Sequence, residues 1–561
     1  MPNVLTLEEN HCKDCYKCIR TCAVKAIRFE NGRAEIIPQE CVLCGRCFVV
    51  CPQKAKRVRS DVEQVRRAVQ AGKRVVCSLA PSFIADFAVE GLTDMAAALR
   101  QLGFAEVTET AVGAQFVSDA YAAALEGEAP RALITSCCPA VNSLIQKYYP
   151  TLLPFLAKTL SPMQAHCKAL KERDPACYTV FVGPCIAKKD EGDQSPYVDA
   201  VLTYDELRDW LQDKGLELPQ REVAPQNGAR ARFYPTTGGI LKATNKVEGY
   251  RRVAIDGIEN CQAVLEEMQT SLPDGLFLEM SACEGGCVNG PCIREHRERR
   301  LRGALRVDSF AGDDRFDEPS PADIGHSFAF LGVQRVKPGA AAIEATLRKM
   351  GKLTPEDELN CGSCGYNTCR EKAAAVLAGK AEITMCLPYL KSKAESFSDT
   401  ILRNMPSAVL VLDDQLRVQQ MNPAAVELFR LRTEDDLLRE PIERLMDPEP
   451  FHTALLEMRG LSNQLRFLPE YDRYVEQSVL CDRQSNVLVV LLRDVTQRER
   501  RRQSDEALQK RTAEVTGQVI EKQMRAVQEI ASLLGETTAE TQIALTQLKD
   551  ALHGQEGSDA P

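Results

Sequence analysis

The sequence predicts a multidomain protein of the α/β class. Its 561 residues suggest three or four domains of roughly 150 residues each. Between residues 61 and 345, short apolar runs alternate with amphipathic stretches of helical period, which is the pattern of an α/β fold. The 23 cysteines fall in short-spaced groups and nearly vanish after residue 394. Cysteine-bearing modules are therefore expected to precede a cysteine-poor C-terminal part.

Composition excludes several classes of protein. The 70 Lys and Arg against 79 Asp and Glu give a net charge of −9, which argues against a nucleic-acid binder that relies on a basic field. The longest apolar runs, such as Val487 to Leu492, are far shorter than a membrane span, and no early apolar stretch carries a cleavage site. We therefore expect a cytoplasmic protein with no nucleic-acid partner and no membrane partner. Clustered cysteines in such a chain predict metal or cofactor ligation rather than disulfides.

The N-terminal module, residues 1–60, carries two cysteine runs. Each has the spacing C-x2-C-x2-C-x3-C, and their members are Cys12, Cys15, Cys18 and Cys22, then Cys41, Cys44, Cys47 and Cys51. The spacing resembles bacterial two-cluster ferredoxins, in which the fourth thiolate of each run reaches the other 4Fe-4S cube. The crossed ligand sets are then Cys12, Cys15, Cys18 and Cys51 for one cluster, and Cys41, Cys44, Cys47 and Cys22 for the other. We predict a ferredoxin-like electron-transfer module with two 4Fe-4S clusters; the alternative is a pair of zinc sites.

The central domain, residues 61–345, is predicted as α/β. Strands are expected at Arg74 to Leu79, Ala132 to Ser136 and Thr179 to Val182, and helices at Asp94 to Leu102 and Glu206 to Lys214. Three cysteine-bearing loops follow strand-like runs. They read Thr-Ser-Cys-Cys-Pro at 135–139, Gly-Pro-Cys-Ile-Ala-Lys-Lys-Asp-Glu at 183–191, and Ser-Ala-Cys-Glu-Gly-Gly-Cys at 281–287. Loops at strand ends are where open α/β sheets build their sites.

These three motifs resemble, in order, the signatures TSCCP, PCxxKxxE and ACxGGC of the iron-only (FeFe) hydrogenase family. The resemblance implies an H-cluster, which is a 4Fe-4S cube bridged to a two-iron unit that carries CO and cyanide. The implied cube ligands are Cys138, Cys185, Cys283 and Cys287, and the last of them also bridges. The resemblance further implies that Cys137 passes protons to and from the two-iron unit, that Lys188 holds a cyanide, and that Glu191 belongs to the proton relay. Residues 80–82 are similar to the family's APS loop, so Ser82 would bond the other cyanide.

Departures from the family pattern occur beside the predicted two-iron unit. Gly183 and Ser281 stand where the family usually has Met, and the chain after Cys287 lacks the family's GGGQP stretch. Between Thr108 and Ala124 there is no pair of glutamates to form the outer end of a proton path. Because the groups around a metal site tune its chemistry, we expect slow turnover.

A small domain, residues 346–393, carries a further cysteine set. Its members are Cys361, Cys364, Cys369 and Cys386, with a predicted helix from Arg370 to Ile383 between the last two. The pattern resembles the small Fe-S domain of electron-transfer complex subunits and corrinoid proteins, so a further 4Fe-4S cluster is expected. Zinc is the alternative, since zinc accepts four separated cysteines.

The segment 394–497 resembles a PAS domain of the α+β class, which binds a small ligand or pairs to transmit a signal. Ala408 to Leu412 and Val487 to Arg493 are predicted strands, and Asn422 is predicted to cap a short helix. His452 is a lone histidine, for which a structural role is the better interpretation. No residue indicates which ligand the domain would bind.

Residues 498–561 are predicted as a coiled-coil signalling helix and a disordered tail. The apolar positions Ile520, Met524, Val527, Ala531 and Leu534 have the spacing of a coiled-coil seam, so a homodimer is expected. The alternative is a helix that packs back on its own PAS domain. Gly535 interrupts the helix, a second amphipathic stretch runs from Ala539 to Leu552, and residues 554–561 have a disordered composition.

Together these features predict a hydrogenase-like sensor that couples H2 or the redox state at an H-cluster to a PAS output. H2 and protons, a redox partner such as ferredoxin, and an effector such as a kinase or phosphatase are the expected partners. The first alternative is a catalytic ferredoxin-linked hydrogenase that its PAS domain regulates. The second is an iron–sulfur scaffold or redox sensor that lacks the two-iron unit. The presence of Cys137 and Lys188 argues against this second alternative, because neither residue is needed to hold a cube.

Overall fold

The computed structural model describes residues 4–8, 11–127, 130–223, 228–293, 300–333, 338–457, 459–482, 486–534 and 538–553. The chain divides into two compact units, Met1–Leu390 and Lys391–Pro561. The first unit holds all the predicted cysteine sites, and the second holds the predicted PAS domain and C-terminal helices.

The N-terminal module is built from two small antiparallel sheets. The outer strands β1 and β4 pair with each other, and β2 pairs with β3. Its elements in chain order are β1 (Leu5–Leu7), α1 (Lys17–Thr21), β2 (Ile27–Glu30), β3 (Arg33–Ile36), α2 (Arg46–Val49) and β4 (Lys56–Val58). Each cysteine run begins in a loop, has its third cysteine within α1 or α2, and has its fourth within two residues of the end of that helix.

The central domain contains two separate parallel sheets with helices around them. The first sheet has the strand order β6-β5-β8-β9, and the second has the order β10-β11-β7. The strands are β5 (Val75–Leu79), β6 (Glu106–Glu109), β7 (Ala132–Ile134), β8 (Tyr178–Gly183), β9 (Ala200–Thr203), β10 (Arg251–Asp256) and β11 (Leu276–Ser281). Strands β5 and β8 are entirely buried, which is why they consist of nearly continuous apolar runs. The three strands predicted from the sequence are confirmed as β5, β7 and β8.

Most helices of the central domain connect these parallel strands, while the first precedes them and the last follows them. They are α3 (Val62–Gln70), α4 (Phe83–Asp86), α5 (Leu92–Gln101), α6 (Ala111–Gly127), α7 (Pro139–Tyr148), α8 (Pro162–Arg173), α9 (Ala187–Asp193), α10 (Tyr204–Asp213), α11 (Gly239–Ala243), α12 (Ile258–Thr270) and α13 (Arg300–Phe310). Helix α10 begins with a capping box in which Thr203 and Glu206 satisfy each other's backbone N–H groups. The two predicted helices are confirmed as α5 and α10, each beginning two residues earlier than the pattern indicated.

The small domain packs on the N-terminal module. It contains α14 (Ala340–Lys349) and α15 (Cys369–Leu377), and it ends at the start of α16 (Leu387–Asn404). Helix α15 ends at Leu377, six residues before the predicted end at Ile383, because Gly379 takes a left-handed φ of 67°. The division between the two units falls within α16.

The second unit contains a five-stranded antiparallel sheet in the order β13-β12-β16-β15-β14. Its elements are β12 (Ala408–Leu412), β13 (Val418–Met421), α17 (Pro423–Leu428), α18 (Glu449–Glu457), β14 (Leu461–Leu468), β15 (Arg473–Asp482) and β16 (Val487–Asp494). The Asn422 side chain accepts the N–H of Ala425, so the predicted helix cap is confirmed. His452 is exposed on α18.

Two helices end the described chain, α19 (Thr496–Leu534) and α20 (Thr538–His553). The seam positions Ile520, Met524 and Val527 are half-buried, and α20 of the same chain packs against α19. The side chains of Ala531 and Leu534 lie outside the described residues, as do Gly535 and the predicted tail. Pairing of this helix between two chains therefore stays a prediction. None of the helices in the described ranges combines the length and the hydropathy needed to cross a bilayer.

Candidate functional site

The three cysteine loops meet in one cavity at the carboxyl ends of strands from both parallel sheets. Strands β5 and β8 of the first sheet and β7 and β11 of the second lead into it. The cavity has a volume of about 100 Å³ and is lined by Ser82, Cys137, Cys138, Cys185, Lys188, Glu279 and Cys287, among others. The structure thus brings together residues that lie up to 205 positions apart in the sequence. Loops at the carboxyl ends of parallel strands form the binding crevices of α/β proteins.

Local backbone features position these loops. Cys138 is the N-cap of α7, and Pro139 occupies the first helical position, where a missing N–H costs nothing. In the third loop Gly286 has a φ of 83°, and a Cβ there would lie 2.5 Å from the carbonyl oxygen of Pro235. Glycine is therefore required between Cys283 and Cys287, because any side chain would force the loop open.

Four of these cysteines fit the donor set of a 4Fe-4S cube. Burial raises the pKa of the Cys185 thiol to about 11, and the charges of neighbouring cysteines add to the shift. Burial and neighbouring cysteines also raise the pKa values of Cys283 and Cys287. The charge of Cys138 contributes to the raised pKa of all three thiols. Mutually close buried thiols of this kind release their protons when a metal binds.

Cys137 lies beside this set and is hydrogen-bonded rather than free. Its sulfur is 3.2 Å from the Tyr121 hydroxyl, which also accepts the backbone N–H of Ser136 at 2.9 Å. Burial raises the pKa of Cys137 to about 12. The shift is upward because desolvation disfavours the thiolate. Cys137 is therefore held as a neutral thiol.

Lys188 and Glu191 form a buried ion pair. The ammonium donates to the Glu191 carboxylate at 2.5 Å and to the backbone oxygen of Cys137 at 3.4 Å. Burial opposes the charged form of Lys188, but the Glu191 carboxylate outweighs burial and the pKa of Lys188 is raised. A permanent positive charge thus faces the cavity, and Glu191 lies behind it on α9.

Ser82 lines the same cavity and is hydrogen-bonded to a second buried hydroxyl. Its Oγ lies 2.8 Å from the Tyr204 hydroxyl, which also donates to the backbone oxygen of Ala80 at 3.0 Å. Because Tyr204 donates its proton to Ala80, the Ser82 hydroxyl is the donor of the pair, and it can instead be turned toward an acceptor in the cavity.

Glu279 is a cavity residue that the sequence analysis did not single out. Its carboxylate accepts the backbone N–H groups of Gly238 at 2.8 Å and Leu241 at 3.0 Å. Burial raises the pKa of Glu279 to about 7, even though these backbone donors act to lower it. The available signal was a lone carboxylate inside the otherwise apolar strand β11. A carboxyl group that titrates near neutrality is suited to proton transfer.

The departures from the family pattern have visible packing consequences. A Cβ at Gly183 would lie 2.6 Å from the ring of Phe181, so the Phe181 ring occupies the space beside the cavity. The Ser281 hydroxyl donates to the backbone oxygen of Cys283 at 3.3 Å. Glu109, the glutamate between Thr108 and Ala124, is buried and bound by Arg232 through hydrogen bonds of 2.9 and 2.6 Å.

Among the N-terminal cysteines, Cys22 of the first run lies close to the second run. Cys22 lies near enough to Cys41, Cys44 and Cys47 to influence all three, and burial with this contribution raises the pKa of Cys41 to about 11 and that of Cys44 to about 12. Burial raises the pKa of Cys18, and the charges of Cys12 and Cys15, which belong with it to the other predicted ligand set, act in the same direction. Cys51 accepts the backbone N–H of Ala55 at 3.3 Å.

A second cavity, of about 30 Å³, joins the N-terminal module to the central site. Cys44 of the module and Cys283 of the central domain both line it. The charge of Cys44 also contributes to the raised pKa of Cys283, after burial and the nearer cysteines. The second cysteine run and the central cysteine loops are thus neighbours in the fold.

The small domain brings together Cys361, Cys364, Cys369 and Cys386 around a third cavity of about 20 Å³. Burial lowers the pKa of Lys372, in the same cavity, to about 8, while Cys364 and Cys386 act to raise it. In the described part of the chain no three His, Cys, Asp or Glu side chains lie close enough to hold a single metal ion. A cube binds each thiolate through a different iron and so spaces its ligands more widely.

Comparison with family models divides the chain in the same way. Residues 73–291 match the iron-only hydrogenase large subunit, C-terminal domain. Residues 34–57 match a 4Fe-4S binding domain, 357–388 a putative Fe-S cluster domain, and 397–495 the PAS fold. These matches cover the second cysteine run of the N-terminal module, most of the central domain, the cysteine-bearing part of the small domain and the five-stranded sheet.

Individual relatives match part of the chain. Iron hydrogenase 1 of Clostridium pasteurianum is 27% identical over 371 residues, which cover 51% of this chain and 64% of the relative, so less than two thirds of that relative is matched. Protein NAR1 of Arabidopsis thaliana is 24% identical over 340 residues, covering 45% of this chain and 72% of the relative. Among solved structures, a variant of [FeFe]-hydrogenase HydA1 from Chlamydomonas reinhardtii has a TM-score of 0.40 at 20% identity, covering 49% of this chain and 100% of that chain.

Proposed function

We propose, for a chain that carries an iron-only hydrogenase large-subunit domain with iron–sulfur and PAS domains, that it acts as a hydrogenase-like sensor. H2 or the redox state would set the condition of an H-cluster in the central cavity. The accessory iron–sulfur clusters would exchange electrons with a redox partner such as ferredoxin. The PAS domain would report the condition to an effector, and H2 oxidation and proton reduction would proceed at a modest rate.

The observation that carries this proposal is which residues surround the four cube cysteines. Cys137 and Lys188 line the same cavity, and neither is needed to hold a cube. A buried ammonium suits a cyanide ligand, which carries partial negative charge and accepts a hydrogen bond. A thiol held in its neutral form can give a proton. Both groups fit the surroundings of a two-iron unit.

The residues around the cavity have separate roles in this mechanism. When bound, the H-cluster would supply the metal centre at which H2 is formed or split. Cys138, Cys185, Cys283 and Cys287 would hold the cube. The Lys188 ammonium and the Ser82 hydroxyl would donate to the cyanides, and Glu191 would hold Lys188 charged and in place.

Proton transfer would begin at Cys137. The thiol would give or take the proton that H2 chemistry consumes or releases. Glu279 lines the same cavity, and its pKa of about 7 allows it to accept or supply that proton at neutral pH. Glu279 would thus join the relay to which the resemblance assigns Glu191.

Several features favour a sensor over a bulk catalyst. The Glu109 carboxylate is bound by Arg232 and is not available as the outer end of a proton path. The Phe181 ring restricts the cavity beside Gly183. The chain also passes from the fourth cysteine set into the second unit along a single helix, α16, which begins at Leu387, the residue after Cys386.

An infrared spectrum tests the proposal. The full chain would be matured anaerobically with the hydrogenase assembly factors and examined for bands of iron-bound CO and cyanide. We expect such bands, and we expect them to shift under H2. Turnover near that of catalytic hydrogenases would instead favour the regulated enzyme. A fully iron-loaded sample without these bands would contradict the proposal.

The scaffold function is retained as a second candidate because of the similarity to Protein NAR1. A cytosolic Fe-S cluster assembly factor NAR1 of Kluyveromyces lactis also matches, at 22% identity over 285 residues. For this chain that similarity supports a cube without a two-iron unit. Lys188→Met separates the two candidates, because it would weaken the infrared bands of a two-iron unit and would leave the iron content of a scaffold unchanged.

A further inference from the structure

The small domain and the N-terminal module share one hydrophobic core. Tyr366 and Met385 pack in a single buried cluster with Ile19 and Phe29. Backbone contacts reinforce this packing, because the N–H of Phe29 donates to the oxygen of Lys380 at 2.9 Å. The small domain, which carries the fourth cysteine set (Cys361, Cys364, Cys369 and Cys386), is therefore packed directly against the ferredoxin-like module.

Lys372 is buried at the centre of this small domain. It lies on α15, its side chain is 0% exposed, and it lines the cavity that all four cysteines surround. Its ammonium donates to the backbone oxygen of Glu382 and to the Met385 sulfur, the latter at 3.1 Å. The ring of Tyr366 lies 5.7 Å away.

No carboxylate in the described ranges lies within ion-pair distance of this ammonium. The nearest candidate, Glu382, instead accepts the backbone N–H of Asn31 at 2.9 Å and the Thr384 hydroxyl at 3.1 Å. A buried charge with no opposite charge is strongly disfavoured. The cysteines of the cavity are the groups that can supply the missing negative charge, as thiolates.

We propose that Lys372 is the buried counter-ion of the iron–sulfur cluster of this set and that its charge raises the cluster's reduction potential. The cluster would be held by Cys361, Cys364, Cys369 and Cys386. Reduction adds one electron, and therefore one negative charge, to the cluster. A fixed ammonium in a low-dielectric site stabilises the reduced form more than the oxidised form. Lys372 is thus a positioning residue, and its role does not depend on a two-iron unit elsewhere.

Redox titration of the full chain, followed by electron paramagnetic resonance with dithionite as reductant, tests this proposal. Cys364→Ala identifies the signal of this cluster by its loss. We expect Lys372→Met to lower the equilibrium constant for its reduction at least tenfold, a shift of about 59 mV for one electron. Lys372→Arg, which keeps the charge, should stay close to the unmodified chain.

Lys391→Met is the matched control, because Lys391 is exposed and water screens its charge. It removes the same charge five residues after Cys386 and should leave the potential unchanged. A fully iron-loaded Lys372→Met with an unshifted potential would overturn the proposal, as would equal shifts in Lys372→Met and Lys372→Arg.

Iron content decides the case in which a variant does not retain the cluster. Loss of iron in Lys372→Met but not in Lys372→Arg would support the counter-ion role, because Met removes the positive charge and Arg keeps it. Loss in both variants would show that Lys372 acts through packing and would overturn the proposal. Infrared bands of CO and cyanide report on the central cavity alone, so failure of the hydrogenase-like function is distinguishable from either result.

Discussion

Replacing Arg232 should destabilise the central domain strongly, because it would leave the Glu109 carboxylate buried and unpaired. Glu109 is 3% exposed and receives two hydrogen bonds from Arg232, of 2.9 and 2.6 Å. The guanidinium also lies 3.9 Å from the centre of the Phe310 ring. Removing one partner of a buried ion pair costs about 3–5 kcal/mol. We expect Arg232→Met to lower the melting temperature by roughly 6–20 °C in a domain of this size.

Trp210 provides the assay for this prediction. It is the only tryptophan of the chain, and it is buried in the same hydrophobic core as Phe310. Its fluorescence during thermal unfolding of the cluster-free chain therefore reports on the central domain. The control is Arg315→Met, because Arg315 pairs with Asp119 at 2.6 Å on the surface and such pairs contribute about 1 kcal/mol or less.

The pH dependence of the Arg232 variant has a definite sign. Burial already raises the pKa of Glu109, and Arg232 is the group that lowers it. Without the guanidinium the folded-state pKa rises further, so the penalty is full above that pKa and disappears below the unfolded pKa of Glu, about 4.3. The loss of stability in Arg232→Met should therefore become smaller as the pH falls. If Arg232→Met loses no more stability than Arg315→Met at pH 7, the reasoning is refuted.

Three further predictions concern single side chains. Burial raises the pKa of Glu279 from 4.5 to about 7. The unmodified chain should therefore lose about 3 kcal/mol of unfolding free energy as the pH rises from the first value to the second. Glu279→Gln should remove this loss in a stability comparison at pH 5 and pH 8; an equal loss in the variant would contradict the assignment. Asn422, 1% exposed, accepts two backbone N–H groups and donates to two backbone oxygens. Asn422→Ala should cost the PAS domain about 2–4 kcal/mol, measured as faster amide exchange in β12, and unchanged exchange would show that water replaces these bonds. Cys137→Ala should abolish H2 chemistry and leave the iron content unchanged, whereas Cys138→Ala should lower the iron content; if iron falls in both, the division of roles between these two residues is wrong.

Much of the fold could be predicted because the signals are local. Alternating apolar runs predicted strands β5, β7 and β8, since a buried parallel strand needs apolar residues on both faces. The Asn422 cap depends on a contact three residues along the chain, which a sequence pattern contains. The end of α15 was misplaced because helical period alone did not weigh the left-handed conformation at Gly379. The packing of α20 on α19 could not be predicted either, since a seam has the same spacing whether its partner is another chain or the next helix.

The sequence by itself determined the cysteine motifs, because the spacing within each run or loop is a local feature of the chain. It also determined the order of the domains along the chain. Only the tertiary structure decided that the three cysteine loops of the central domain share one cavity, and which charged groups face the cysteines. Glu279 and Lys372 face cysteine cavities, and Glu109 binds Arg232, 123 positions away. Burial and ion pairing depend on which distant segments pack together, and no local pattern encodes that packing.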